Sequence, residues 1–197
     1  MASRESIRKT IRNKRRALPE EQRTLAAEQF ADHFSKSKLF INSRHIAFYM
    51  ANDGELDPAP LLYIAWSMGK SCYLPVLTAN HDKSLLFAPY EPGDPLAYNR
   101  FGIPEPDIAA RHRLKARNLD LIVMPLVAFD DKGNRIGMGG GYYDRTLGYL
   151  KDRHIWMKPK LVGVGYSIQQ VEAIDQQSWD VPLSCIATED KLINVKV

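Results

Sequence analysis

A glycine-rich segment carries the residue types with the clearest chemical potential in this sequence. It reads FDDKGNRIGMGGGYYDR over residues 129–145, and four of its five glycines lie close together: Gly137, Gly139, Gly140 and Gly141. Glycine adopts positive φ without strain and lets backbone N–H groups approach a ligand closely. Loop amides that precede a helix form a site for anions, phosphate in particular. The segment therefore predicts a phosphate-binding loop.

Two charged side chains in the same segment could extend that chemistry. Arg135 could make a bidentate contact with phosphate. Asp144, in the first turn of the expected helix, could hold Mg²⁺, which binds one or two carboxylates together with phosphate oxygens and water. The GxxxxGK[ST] pattern of a P-loop is absent, and the late position does not fit a dinucleotide-binding G-x-G-x-x-G motif. The alternative is a plain turn in which Asp144 only stabilises the helix N-terminus.

A second group is a run of arginines near the start of the chain. Four of them recur every four residues, which would place them along one side of a helix: Arg4, Arg8, Arg12 and Arg16. Residues 1–23 hold eight Lys or Arg against three acidic residues, whereas the whole chain has a net charge of only +4. A solvated helix face, a contact with nucleotide phosphate and a nucleic-acid-binding module led by this helix all remain open.

A third candidate is Glu55 in the segment NDGELD, between an expected strand and an expected helix. Asp53, Glu55 and Asp57 could simply stabilise the helix N-terminus. Alternatively, the Glu55 carboxylate could accept hydrogen bonds from N–H groups of a ligand. The histidines have no metal-ligand spacing, and no Ser/His/Asp nucleophile is recognisable.

The elements that must position these residues alternate between strands and helices. Pro19 separates a basic first helix ending near Ala17 from a second helix with Leu25, Phe30 and Phe34 on its apolar side. Expected strands cover 45–50, 71–76, 85–90, 119–129, 160–165 and 184–188, expected helices 58–68 and 142–150, and an expected loop 91–107. This alternation predicts an α/β fold with an open, mostly parallel sheet. Such sheets bind ligands beyond the carboxyl ends of their strands, in this chain after Met50, Pro75 and Phe129.

Composition and length are those of an average soluble domain. The 197 residues are 45% hydrophobic and 25% charged, which favours one domain over residues 1–197. No apolar stretch approaches the ~20 residues of a membrane span, and the N-terminus lacks the apolar core of a signal peptide. Cys72 and Cys185 form no CxxC motif. We therefore expect a cytoplasmic protein without a membrane partner.

The string FDDKGNRIGMGGGYYDRTL resembles the signature of the 5-formyltetrahydrofolate cyclo-ligase family, also called 5,10-methenyltetrahydrofolate synthetases. The arginine-rich first helix and the segments YMANDGELD, FGIPEP and WDVPLSCIATED extend the resemblance over essentially the whole chain. It implies a single three-layer α/β/α domain. It also implies conversion of 5-formyltetrahydrofolate to 5,10-methenyltetrahydrofolate with ATP and Mg²⁺, by a monomer that binds no nucleic acid.

The resemblance assigns roles to individual residues. Arg135 and Asp144 would be catalytic, and Asp144 and Asp180 would hold Mg²⁺. The positions that would bind folate are Met50, Glu55, Phe101, Tyr142 and Tyr143. Those that would bind ATP are Arg4, Arg8, Arg135, Ile136, Gly137, Met138, Gly139, Gly140, Gly141, Tyr142 and Tyr143.

Three positions depart from what other members carry. Arg4 stands where Lys is common, Phe101 where some members have Trp, and Met138 where some have a basic residue. A small-molecule kinase would share the ATP loop but would need a general base, for which Glu55 is the one candidate.

Overall fold

The computed structural model describes residues 3–78, 83–109, 112–151 and 158–195. Its α-helices are α1 (Arg4–Arg16), α2 (Glu20–Ser35), α3 (Lys38–Ile41), α4 (Ala59–Ser67) and α5 (Tyr142–Leu147). Short 3₁₀ helices cover Ala116–Asn118, Gly148–Leu150 and Ser167–Gln169. The expected helix over 142–150 is thus α-helical only as far as Leu147. Within the described residues, none of these helices has the length and apolar character that a membrane span requires.

The strands are β1 (His45–Ala47), β2 (Ser71–Leu77), β3 (Leu85–Pro89), β4 (Leu96–Tyr98), β5 (Pro104–Pro106), β6 (Leu121–Pro125), β7 (Ala128–Phe129), β8 (Arg135–Ile136), β9 (Lys160–Val164), β10 (Cys185–Ala187) and β11 (Leu192–Asn194). Seven of them form one sheet in the order β11-β10-β9-β6-β1-β2-β3. The five central strands pair in parallel, and β11 and β3 are antiparallel at the two edges. The expected mostly parallel sheet is confirmed.

Both faces of this sheet are covered, as the apolar sequence of β6 requires. Leu121 and Val123 pack with the buried side chains of α2 and α4. Ile122 and Met124 face the opposite way, where Leu147 of α5 completes a second cluster. A third, smaller cluster joins Ile11 of α1 to β7 and β8. This small cluster fixes α1 beside the glycine segment.

Sequence reasoning was wrong about several boundaries. The apolar run 119–129 is not one strand: β6 ends at Pro125, and β7 then pairs with β8 as a separate antiparallel ribbon. Proline cannot donate a ladder hydrogen bond, so Pro125 is a natural end for β6. β1 stops at Ala47, three residues before the expected end. Leu25, expected on the apolar side of α2, is 52% exposed.

The segment 91–107 is not a plain loop, because it contains the antiparallel hairpin of β4 and β5. Glu105 joins this hairpin to the main sheet by accepting hydrogen bonds from the Leu77 backbone N–H at 3.1 Å and from the Asn99 side chain at 2.7 Å. The hairpin therefore holds Phe101, in its connecting turn, at a defined position.

The position of β1 explains where a ligand site can form. β1 lies between β2, which follows it in sequence, and β6, which lies on its other side. Connections leaving β1 and β6 therefore diverge at their carboxyl ends, and such a divergence is where open α/β sheets bind ligands. The loop 48–57 follows β1, and the ribbon of β7 and β8 with the glycine segment follows β6.

Candidate active site

The glycine segment forms an open loop between β8 and α5. Gly139 and Gly141 have φ values of +95° and +70°, a region that residues with a side chain rarely adopt. At Gly137, no atom of the described residues lies within 4 Å of the position that a Cβ would take. Met138 is 49% exposed. The loop is accessible from solvent, as a phosphate site must be.

Helix α1 lies directly against this loop. The Arg8 Nε donates to the Gly137 carbonyl at 2.8 Å. The Arg8 guanidinium carbon is 3.7 Å from where a Cβ of Gly139 would lie. Ile11 of α1 packs in the same small cluster as Ile136 of β8, which holds the helix in this place. Arg8 is thus positioned beside the expected phosphate site.

The two expected catalytic residues are in contact. The Arg135 side chain is 7% exposed, and its Nη2 donates to the Asp144 Oδ1 at 2.5 Å. The Arg135 Nη1 also donates to the Val181 carbonyl, and the Val181 N–H lies 3.5 Å from the same Asp144 oxygen. The guanidinium is therefore fixed between the start of α5 and the segment that precedes β10.

The second expected metal ligand lies beside this pair. Asp180 Oδ2 is 2.9 Å from the Arg4 Nη1, and the Arg4 Nη2 donates to the Arg135 carbonyl at 3.0 Å. A cleft of about 190 Å³ is bordered by Arg135 and Asp180. The structure thus brings Arg4, Arg135, Asp144 and Asp180 into one hydrogen-bonded network.

The side chains of this network could supply only part of the coordination shell of Mg²⁺. The described parts of the chain contain no group of three or more His, Cys, Asp or Glu that could hold a metal ion. Two neighbouring carboxylates are nevertheless sufficient for Mg²⁺ when phosphate oxygens and water complete the coordination. Because Asp144 and Asp180 are each paired with an arginine, a cation would have to replace those contacts.

Glu55 is a buried acid at the carboxyl end of β1. Its side chain is 10% exposed, and its Oε2 accepts a hydrogen bond from the Asn52 backbone N–H at 3.2 Å. Burial raises the pKa of Glu55 to about 7, and the nearby Arg15 charge opposes part of that rise. Glu55 also lines a cleft of about 410 Å³ between α2 and the loop 51–57. This volume lies in the range of ligand pockets.

The structure distinguishes the two tyrosines that end the glycine segment. The Tyr142 hydroxyl accepts from the Arg100 guanidinium at 2.5 Å, and its ring meets Phe101 edge-on with centroids 5.9 Å apart. The pKa of Tyr143 is raised well above its ordinary value by burial and by the Glu55 charge, and Arg135 opposes the rise. Tyr142 is therefore in contact with Phe101, whereas Tyr143 is close enough to Glu55 to be affected by its charge.

The fifth expected folate contact, Met50, packs elsewhere. It is partly buried against the cluster beneath α2 and α4. Tyr142 and Tyr143 pack against the cluster on the opposite face of the sheet. Met50 and the two tyrosines thus reach the carboxyl edge of the sheet from opposite faces.

Of the alternatives left open for the arginine run of α1, a solvated face does not fit the contacts that these arginines make. The last two members of the run, Arg12 and Arg16, converge on Asp53 together with Arg15. Arg12 Nε and Arg15 Nη2 lie 2.8 and 3.0 Å from Oδ2, and Arg16 Nε donates to Oδ1. Although burial acts in the opposite direction, hydrogen bonds from Arg16 and Arg12 lower the pKa of Asp53. Asp53 is therefore a bridge to α1, whereas sequence reasoning gave it a role only at a helix terminus.

Sequence reasoning also missed Arg15, whose side chain is 0% exposed. Its spacing was the available signal, because Ile7, Ile11 and Arg15 recur every four residues and share the packed side of α1.

Comparison with known proteins decides the family. The model of the 5-formyltetrahydrofolate cyclo-ligase family matches residues 1–189. The chain belongs to this family. The 5-formyltetrahydrofolate cyclo-ligase of Escherichia coli K12 is 40% identical over 184 residues, an alignment that covers 92% of this chain and 98% of that protein. The Haemophilus influenzae cyclo-ligase is 40% identical over 182 residues, covering 91% and 94%.

Solved structures of cyclo-ligase relatives agree with the fold. The Aquifex aeolicus 5,10-methenyltetrahydrofolate synthetase superposes with a TM-score of 0.82 at 30% identity, covering 98% of this chain and 93% of that one. The Mycoplasma pneumoniae synthetase superposes with a TM-score of 0.72 at 21% identity, covering 95% and 99%, and supports the fold alone. The expected family, enzyme class and α/β fold are confirmed.

Proposed function

We propose that this cyclo-ligase converts 5-formyltetrahydrofolate and ATP to 5,10-methenyltetrahydrofolate, ADP and phosphate. The observation that carries the proposal is the double contact of α1. Arg8 binds the glycine loop, and Arg15 binds Asp53 beside Glu55. Seven residues of helix span about 10 Å. A nucleotide on the loop and a pterin at Glu55 would therefore be neighbours.

ATP would bind through its phosphates to the open loop and the basic side chains around it. The loop supplies backbone amides from residues 137–141, and Arg8 lies across it. Arg135 is fixed by Val181 and Asp144, so its guanidinium is oriented before a phosphate arrives. Arg4 would complete the charge. We assign ATP binding to these groups and to the flanking Ile136, Tyr142 and Tyr143.

Asp144 and Asp180 are the residues that would hold Mg²⁺. Their carboxylates are hard oxygen donors of the kind that Mg²⁺ prefers. The bound cation would supply neutralisation of phosphate charge. Asp144 and Asp180 pair with Arg135 and Arg4 when no ligand is bound. With the two carboxylates on the cation, Arg4 and Arg135 could contact phosphate, and Arg135 would still be oriented by the Val181 carbonyl.

The folate would be recognised by Glu55 and by aromatic side chains. A carboxylate can accept two parallel hydrogen bonds from the N–H groups on the edge of a pterin. Tyr143 would pack close to the ring, because it shares the electrostatic environment of Glu55. Phe101 and Tyr142 would cover the opposite part of the substrate from the hairpin side, and Met50 would contribute apolar surface.

The reaction that this arrangement suits needs no protein nucleophile. The formyl oxygen attacks the γ-phosphorus, the bond to ADP breaks, and the oxygen becomes part of a phosphate leaving group. N10 then attacks the activated carbon, its proton is released, and phosphate leaves with the C–O electron pair. Catalysis of this kind depends on positioning and on neutralising phosphoryl charge. Arg135 and the loop amides would provide that electrostatic stabilisation.

A single assay tests the proposal. The purified protein is mixed with 5-formyltetrahydrofolate, ATP and Mg²⁺, and the absorbance of methenyltetrahydrofolate is followed while ADP is measured separately. We expect one ADP for each methenyltetrahydrofolate. ADP release with a phosphorylated folate and no methenyl absorbance would instead identify a kinase. If neither ADP nor methenyltetrahydrofolate forms when both substrates are present, the proposed function is rejected.

A further inference from the structure

Arg15 presents an unused donor to Glu55. Its Nε donates to the Asp53 carbonyl at 3.0 Å, and its Nη2 donates to the Asp53 carboxylate at 3.0 Å. Its Nη1 is buried and has no hydrogen-bond partner within the described part of the chain. That nitrogen lies 3.9 Å from the Glu55 Oε1. A buried N–H without a partner is costly, so a small approach of Glu55 would be favourable.

The other groups around Glu55 make Arg15 the dominant cation there. From α1, the charges of Arg15 and Arg12 both lower the pKa of Glu55, and Arg15 has the larger effect. From the same loop, the Asn52 N–H donates to Glu55, whereas the Asp53 charge repels it. Two tyrosines also face Glu55: burial, and then the Glu55 charge, raise the pKa of Tyr143 in α5 and of Tyr49, which follows β1.

We propose that Arg15 is a positioning residue for folate recognition, holding the buried Glu55 carboxylate ionised and aimed at the pterin. This role rests on the proposed function, in which Glu55 accepts the N–H groups of the substrate. Asp53 fixes the Arg15 guanidinium by two bonds, so it cannot turn to contact the substrate itself. Because a protonated carboxyl loses one of its two acceptor positions, Arg15 would act on binding of folate and not of ATP.

The chain offers a matched control in Arg16. It lies on the same helix and donates to the same Asp53 carboxylate, but its side chain is 50% exposed and its partner oxygen is the other one, Oδ1. Replacing either arginine with methionine removes one positive charge from α1. It also removes two hydrogen bonds to Asp53 at Arg15 and one at Arg16. Only the first replacement removes the donor that faces Glu55.

The experiment measures KM for 5-formyltetrahydrofolate and for ATP between about pH 6 and about 9, a range that brackets the titration of Glu55. In the unchanged protein, folate KM should rise as the pH falls through the pKa of Glu55, about 7. Arg15→Met should move that midpoint up by at least about one unit, since a neighbouring opposite charge lowers a carboxyl pKa by that much. Folate KM at about pH 7 should then rise at least about fivefold and recover at high pH, while ATP KM stays constant. Arg16→Met should leave the midpoint in place.

Two further variants keep the test decisive. Arg15→Gln keeps a polar group that can bond Asp53 but carries no charge, so it should also move the midpoint up. Should Arg15→Met fail to fold, an unmoved midpoint in Arg15→Gln overturns the proposal. Glu55→Gln distinguishes a failure of the proposed role of Glu55 from a failure of the proposed role of Arg15. If it leaves folate KM unchanged, the proposed role of Glu55 fails. If it raises folate KM while Arg15→Met changes neither KM nor midpoint, only the role of Arg15 fails.

Discussion

Arg135 and Asp144 neutralise each other across 2.5 Å, between the end of the β7–β8 ribbon and the first turn of α5. The arginine is buried and the aspartate is 27% exposed, so the carboxylate is the partner that a solvent cation can reach. In the proposed function, ligand binding would break this contact, and Asp144 would then bind Mg²⁺ while Arg135 binds phosphate.

Asp144→Asn should lower kcat at saturating ATP by about 10²-fold, because a neutral amide would hold Mg²⁺ less tightly, and that cation would neutralise charge at the transferring phosphoryl group. It should also raise the Mg²⁺ concentration needed for half-maximal rate. Initial rates over a Mg²⁺ series measure both effects. The exposed Asp131 is the control, and Asp131→Asn should match the unchanged protein. Normal turnover and Mg²⁺ dependence in Asp144→Asn would remove this residue from the mechanism.

Arg8→Ala should mainly raise KM for ATP, since Arg8 lies across the glycine loop and donates to the Gly137 carbonyl at 2.8 Å. One charge-assisted hydrogen bond contributes about 1.5–3 kcal/mol, which corresponds to roughly a tenfold or larger change in affinity. Nucleotide titrations of Arg8→Ala and of Lys9→Ala, an exposed neighbour on α1, make the comparison. Equal ATP affinity in the two variants would contradict the assigned position of the phosphates.

Gly141→Ala should destabilise the protein and weaken ATP binding. Gly141 has φ +70°, and an added Cβ would lie 2.6 Å from the Arg145 Nη1. A side chain in left-handed backbone costs about 1–2 kcal/mol. Gly148 is the matched control, because its backbone is right-handed with φ −52° and no described atom is within 4 Å of its Cβ position. Urea unfolding should therefore show Gly148→Ala unchanged or slightly more stable. A Gly141→Ala protein as stable as the control would mean that the loop readily adopts another conformation.

Asp120 should make stability depend on pH in acid. Its carboxylate accepts from the Arg44 and His45 N–H groups, both at 2.9 Å, and pairs with Lys158 at 2.6 Å. Although burial raises it, these partners lower the pKa of Asp120 to about 2. Since the folded-state pKa is depressed, this stabilisation is present above about pH 4 and is lost as the pH falls toward about 2.

Replacing Asp120 with Asn removes that dependence. The free energy of unfolding should fall by about 1–3 kcal/mol at neutral pH and decline less steeply in acid. Urea titrations between about pH 7 and about 2 measure both, with Asp107→Asn as an exposed control. Parallel acid profiles for the two variants would show that Asp120 contributes nothing specific.

The part of the fold that sequence could predict is the part governed by burial. The apolar runs around Ile46, Leu74, Val123 and Val162 marked the central strands, and glycine spacing marked the loop that follows β8. The hairpin of β4 and β5 escaped prediction for the opposite reason. Leu96 and Tyr98 are exposed, and prolines stand at both ends of β5, so neither alternation nor propensity distinguishes it from a loop.

Sequence reasoning could select candidate site residues one by one, but it could not predict the contacts between them. Pattern and resemblance selected Arg135, Asp144 and Glu55, yet neither could indicate that Arg135 would pair with Asp144. Such pairs join residues that only the folded chain brings together. Arg15 escaped notice because arginines are normally assigned to exposed faces, although its four-residue spacing from Ile11 placed it on the packed side of α1.

The contacts of α1 also bear on how the protein is made. Arg4 pairs with Asp180, 176 positions later in the chain, and Arg8 pairs with Gly137, 129 positions later. Contacts between such distant residues form late, because a long loop must close first. During synthesis, α1 leaves the ribosome before either partner exists, so the proposed nucleotide site can be completed only after residue 180 has been synthesised.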